Sequence, residues 1–105
     1  MKENLQGKRE HFQLQKPAEG KLDLNAIFGN ANPVQLEIGS GRGEFLLARA
    51  SADPQANFLG IDVKDKRIKS ILRLLQQGVH DNVRVMRLLV DENFFTVVGG
   101  QVFER

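Results

Sequence analysis

Val34-Gln35-Leu36-Glu37-Ile38-Gly39-Ser40-Gly41-Arg42-Gly43-Glu44-Phe45 decides the reading of this chain. Val34–Ile38 reads as a short apolar strand, Gly39–Gly43 as a glycine-rich turn, and Glu44 as the start of a helix. Such a turn lets backbone N–H groups approach a ligand closely, with the helix N-terminus behind them. Glu37 places a carboxylate inside a strand that should be buried, which is costly unless something uses it. A site for a nucleotide-like ligand is the first hypothesis this stretch supports.

Downstream the pattern repeats. Glu44–Ser51 reads as a helix ended by Asp53-Pro54, and Asn57–Asp62 as a second strand. Asp65 stands where a helix N-cap belongs. Ile68, Ile71, Leu72 and Leu75 then form one apolar stripe at helical spacing, with Gly78 as its C′ residue. Asn82–Leu89 reads as a third strand. Asp91–Val98 fits either a helix or an extended run, and Val102-Phe103 opens a further strand. Alternating strands and helices predict βαβ units and a parallel sheet. The expected fold is therefore α/β and Rossmann-like: three parallel strands in spatial order 3-2-1, a stub of a fourth, and flanking helices.

Upstream, residues 1–33 read as an N-terminal arm and linker, holding Gly7, Gly20, Gly29, Pro17 and Pro33 with weak periodicity. Within it Leu22, Leu24, Ile27 and Phe28 suit one short packed turn. Residues 34–105 then form the ligand-binding domain, and the abrupt stop at Arg105 leads us to expect an incomplete polypeptide, with a short natural form as the alternative.

The totals narrow the classes. A chain of 105 residues, 41% hydrophobic, suits one small globular domain or part of a larger one. The absence of cysteine excludes disulfides and Cys-ligated zinc, and suits a cytoplasmic setting. His11 and His80 are far apart and offer no metal-ligand spacing, so no metal is expected. No stretch approaches the roughly 18–20 apolar residues of a membrane span, and the first residues lack the apolar core of a signal peptide. The net charge of +2 is small, but Lys64, Lys66, Arg67, Lys69 and Arg73 cluster against the single acid Asp65. That face suits phosphates or plain solvation.

Gly39, Gly41 and Gly43 are spaced G-x-G-x-G, and Asp62 follows Gly39 by 23 residues at the end of the second strand. In a dinucleotide fold an acid about 20 residues on binds the ribose hydroxyls. Nicotinamide and flavin sites favour G-x-G-x-x-G, whereas Glu44 occupies that last position here. Its carboxylate would repel a pyrophosphate on the helix N-terminus. S-adenosylmethionine carries no phosphate and presents an ammonium and a sulfonium, so an acid-rich loop suits it better.

The blocks Leu36–Leu46, Asn57–Val63, Lys66-Arg67-Ile68 and Asn82-Val83-Arg84 resemble bacterial tRNA (guanine-N7-)-methyltransferases over about residues 34–87. The resemblance implies a methyltransferase sheet, S-adenosylmethionine as cofactor, tRNA as partner, and methyl transfer to guanine N7. It implies that Glu37, Gly39, Ser40, Gly41 and Gly43 line the cofactor site, and that Asp62 with Val63 takes the ribose end, where the family more often has Glu. The family usually carries Gly-Asp-Ala after the third strand; this chain has Leu88-Leu89-Val90, with Asp91 two residues late as the candidate adenine contact. The family's Asp-Pro-Trp-Pro segment is not found, so catalytic residues are expected beyond Arg105. The rival readings are a non-catalytic module that binds S-adenosylmethionine or another nucleotide, and a fragment of a dinucleotide-dependent oxidoreductase.

Overall fold

The computed structural model of the chain describes residues 11–15, 21–39, 43–78, 80–89 and 103–104. Its strands are β1 (Gln13–Leu14), β2 (Val34–Ile38), β3 (Asn57–Asp62), β4 (Val83–Arg87) and β5 (Phe103–Glu104). Its helices are α1 (Leu24–Phe28), α2 (Glu44–Ala52) and α3 (Asp65–Gln76). The strands form one sheet in the order β1-β4-β3-β2-β5, every pair parallel.

The register explains the layering. Ile38 stands opposite Ile61, and Asp62 opposite Arg87. Side chains alternate between the two faces of each strand. Phe58, Val83 and Val85 therefore pack with Leu46, Leu47 and Ala50 of α2 and with Ile68, Ile71, Leu72 and Leu75 of α3. Leu59, Ile61, Met86 and Val34 face the other way, onto Leu22, Leu24 and Phe28. A parallel sheet covered on both faces is what βαβ connections produce.

The strands β2, β3 and β4 lie in the expected 3-2-1 order, and β5 joins on the far side of β2. The strand order thus reverses at β2. In open parallel sheets ligands bind outside the carboxyl ends of the strands at such a reversal. Here that point is Ile38 and Gly39.

Three local expectations change. Lys64, not Asp65, is the N-cap of α3. Asp65 instead sits in the first turn, where a carboxylate favours the helix dipole, and pairs with Lys69 at 3.0 Å. The third strand runs Val83–Arg87, shorter than Asn82–Leu89; the Asn82 side chain before it donates to the carbonyls of Ala50, Asp53 and Ala56 around the end of α2. The stretch read as arm and linker supplies, in its described part, the edge strand β1 and the helix α1. Phe12 and Leu24 are buried in the two cores. The packed turn over Leu22–Phe28 appears as expected, whereas β1 is two residues long and carries no periodicity to read. The segment Asp91–Val98 lies outside the described residues.

Arg84 ties this early segment to the sheet. It is 3% exposed, and its guanidinium lies over the rings of Phe28 (5.1 Å) and Phe12 (5.7 Å). It donates to the carbonyls of Asp81 (2.8 Å), Val83 (2.9 Å) and Ile27 (3.3 Å). Burial pulls its pKa below the usual arginine value, against the opposing pull of Asp81. The carbonyls and rings replace the water that this cation has lost.

Candidate functional site

The two described glycines of the turn have different tasks. Gly39 follows β2 with φ +74°, and its N–H donates to Ile61 O at 2.7 Å, binding the turn to the end of β3. A Cβ there would meet nothing within 4 Å, so the demand on Gly39 is conformational. Gly43 caps α2 with φ +87°, and a Cβ on it would stand 2.7 Å from Ile71 Cγ1. Gly43 therefore also allows α2 to lie close against α3. Ser40, Gly41 and Asp91 lie outside the described residues.

Glu37 has a partner inside the fold. On the face of β2 that turns toward α2, its carboxylate meets Arg49 Nη1 at 3.3 Å, with side-chain exposures of 18% for Glu37 and 31% for Arg49. Arg49 also donates to Gln35 Oε1 and lies over the rings of Phe58 (5.5 Å) and Phe45 (5.7 Å). The cost of placing Glu37 in a strand is met in part by this cation, and does not by itself demand a ligand.

Asp62 is the most buried carboxylate at this end of the sheet, its side chain 2% exposed. Oδ1 accepts from the N–H of Lys64 at 2.9 Å, and Oδ2 faces Arg67 Nη1 at 3.5 Å. The backbone carbonyl of Asp62 accepts from the N–H of Leu88 at 3.1 Å. Its position is thus held on both sides by the chain following β3 and the chain following β4.

Around it opens a hollow of about 250 Å³, lined by Ile38, Gly39, Ile61, Asp62, Val63 and Arg67, with Leu88 and Leu89 on the β4 side. Ile38, Val63 and Leu89 are exposed large apolar residues at this rim. Apolar walls around a few fixed polar groups are the usual make-up of a small-molecule site. Of the residues singled out from the sequence, Gly39, Asp62 and Val63 share the hollow. Glu37 and Gly43 are not among the described residues that line it.

Sequence reasoning missed Ile38, Ile61, Leu88, Leu89 and Arg67 as lining residues. Ile38 carried a signal, being the last residue of β2 at the turn. Arg67 showed only as one member of a basic cluster.

A second hollow of about 270 Å³ lies at the opposite end of the sheet, among Phe28, Asn30, Pro54, Asn57, Asp81 and Asn82. Its amides bond one another and the backbone: Asn57 donates to Asn30 Oδ1 at 2.7 Å, and Asn82 to the carbonyls of Ala50, Asp53 and Ala56. That end of a parallel sheet serves stability rather than ligands. Nearby, His11 meets Asp81 at 2.9 Å and His80 meets Ser51 at 3.4 Å. Among the described residues no group of three or more His, Asp or Glu could hold a metal ion, and no helix is long and apolar enough to cross a membrane.

The model of a family described as "Putative methyltransferase" matches residues 31–101, which span β2, the turn, β3 and β4. The chain is also similar to proteins named tRNA (guanine-N(7)-)-methyltransferase. It is 40% identical to that of Syntrophotalea carbinolica over 81 residues, covering 77% of this chain and 35% of that protein. It is 38% identical to that of Halorhodospira halophila over the same length and coverage. Against that of Bacillus subtilis it is 30% identical over 78 residues, covering 74% of this chain and 37% of that protein. The chain spans about a third of the length of these curated relatives. Gly39, Gly43 and the buried acid that ends β3 all fall inside the matched region, and the chain belongs to this methyltransferase family.

Proposed function

We propose that this chain is the S-adenosylmethionine-binding part of an enzyme that methylates guanine N7 of tRNA. One observation carries the cofactor reading: a buried carboxylate, Asp62, in the floor of an apolar-rimmed hollow at the carboxyl ends of β2, β3 and β4. A ribose diol donates to such a carboxylate, and an adenine ring rests against apolar walls. The volume, about 250 Å³, lies below the roughly 300–1,000 Å³ of sites for whole drug-sized ligands. It suits the nucleoside portion, with the remainder of the cofactor along the turn from Gly39 to Gly43.

In this reading Asp62 and Val63 hold the ribose end, and Asp91 is the candidate adenine contact. Gly39, Ser40, Gly41 and Gly43 shape the turn beside the methionine portion. Glu37 contributes negative charge there, tempered by Arg49. When bound, S-adenosylmethionine supplies a methyl group on a sulfonium. Guanine N7 is an unprotonated lone pair, so no residue has to remove a proton from it. The chain's own contribution is alignment and the exclusion of water by Ile38, Val63 and Leu89. We assign no catalytic residue to the described part. The tRNA partner is supported by the names of the relatives and by the basic cluster on α3.

Calorimetry with S-adenosylmethionine and with NAD tests the reading. Binding of S-adenosylmethionine is expected, and binding of NAD alone would sink it. Asp62→Ala should weaken S-adenosylmethionine by roughly 10- to 100-fold, as for the loss of hydrogen bonds to a charged group. An unchanged affinity would remove Asp62 from the site.

A further inference from the structure

We infer that Arg67 is a second ribose-recognising residue of the hollow and acts with Asp62 as a clamp on the cis-diol. The inference rests on the proposed S-adenosylmethionine reading. A ribose hydroxyl is both a donor and an acceptor, so a diol presents two hydrogens and also lone pairs that need donors. A carboxylate such as that of Asp62 accepts and does not donate. The hollow therefore needs a donor beside it.

Among the described lining residues the candidates are few. Ile38, Ile61, Val63, Leu88 and Leu89 have apolar side chains, and the Gly39 N–H is already given to Ile61 O. The N–H of Lys64, next to the hollow, is given to Asp62 itself. Arg67 remains. Its Nη1 stands 3.5 Å from Asp62 Oδ2, and among the described residues Asp62 is its one hydrogen-bonding partner. A guanidinium carries five N–H donors in a rigid fork, so most of them stay free for a ligand. Two neighbouring cations are placed differently. Lys69 is paired with Asp65 at 3.0 Å, and Arg87 donates Nε to Val63 O at 2.9 Å. Among the described residues, Arg67 is the one cation that both lines the hollow and meets its buried acid.

The competing role is plain charge neutralisation of Asp62, with no contact to a ligand. Two nucleosides separate the roles. Affinities of adenosine and 2′,3′-dideoxyadenosine are measured by calorimetry for the unmodified chain, Arg67→Met and Arg67→Lys. S-adenosylmethionine is titrated into the unmodified chain in parallel, and thermal melting monitors each variant. Arg67 is about half exposed on α3 and methionine is a good helix former, so the fold should persist. Arg67→Met should weaken adenosine about 10-fold while changing the dideoxy compound by less than about twofold. Arg67→Lys, which keeps the charge but not the fork, should fall between the unmodified chain and Arg67→Met. An equal loss for both nucleosides, or no loss for either, overturns the clamp. If the unmodified chain binds S-adenosylmethionine and Arg67→Met keeps its preference for adenosine, the clamp alone falls. If the unmodified chain binds no S-adenosylmethionine, the proposed function falls and the clamp with it.

Discussion

Replacing Gly43 by alanine separates what the glycine turn does for the fold from what it does for a ligand. Two costs act at this position. An L-residue at φ +87° costs about 1–2 kcal/mol relative to glycine. The new Cβ would also lie 2.7 Å from Ile71 Cγ1 and 3.1 Å from its Cγ2. Ile71 is completely buried under α2, so it has no free space to turn into. Overpacking of this kind costs about 1–3 kcal/mol. The expected loss for Gly43→Ala is therefore about 2–5 kcal/mol, a large part of the roughly 5–15 kcal/mol that holds a domain together. Gly39→Ala is the control, because φ is +74° there but nothing lies within 4 Å of the added atom. It should lose only the conformational part, about 1–2 kcal/mol. Urea unfolding of both variants measures the difference, provided the dependence on urea is unchanged between them. Ile71→Ala should also cost less in the Gly43→Ala background than alone, since the clash is then gone. Equal losses at the two glycines, together with strict additivity at Ile71, would refute the packing role of Gly43.

Arg49→Met removes the cation facing Glu37 and should destabilise the chain by about 1–2 kcal/mol, discounted for the partial exposure of the pair. The same change in a Glu37→Gln background should cost less; an equal cost in thermal or urea unfolding would show that the ion pair is incidental. Arg84→Met leaves the carbonyls of Ile27 and Asp81 without their donor and should cost about 1–3 kcal/mol. Amide exchange should then quicken first at Ile27 of α1 and at Gly29, its C-cap, and uniform quickening across the sheet would contradict the tethering role. Phe12→Ala empties a site at the edge of the core and should cost about 3 kcal/mol, seen as a lower urea midpoint. No change in that midpoint would mean that the segment before β2 is not part of the cooperative unit.

Most of the fold is legible because it depends on neighbours along the chain. The stripe Ile68, Ile71, Leu72, Leu75 is buried as its spacing requires, and Asp53-Pro54 ends α2 where an extended residue before proline must. The run from Val34 to Gly39 likewise contains a whole strand and the glycine that leaves it. The site is legible only in outline. Asp62 is marked by its position at the end of β3, but beyond its near neighbours Lys64 and Arg67 the walls around it come from the end of β2 and the chain after β4.

The sequence by itself determined the alternation of strands and helices, the glycine turn and the acid that follows it, since each is a matter of period, spacing and backbone conformation. Only the tertiary structure decided that Gly43 faces Ile71, that Arg49 answers Glu37, and that Arg67 stands beside Asp62 in one hollow. Each of those pairs joins residues on different elements. Their distances follow from how the sheet and helices pack, because side-chain burial and charge compensation act through space rather than along the chain.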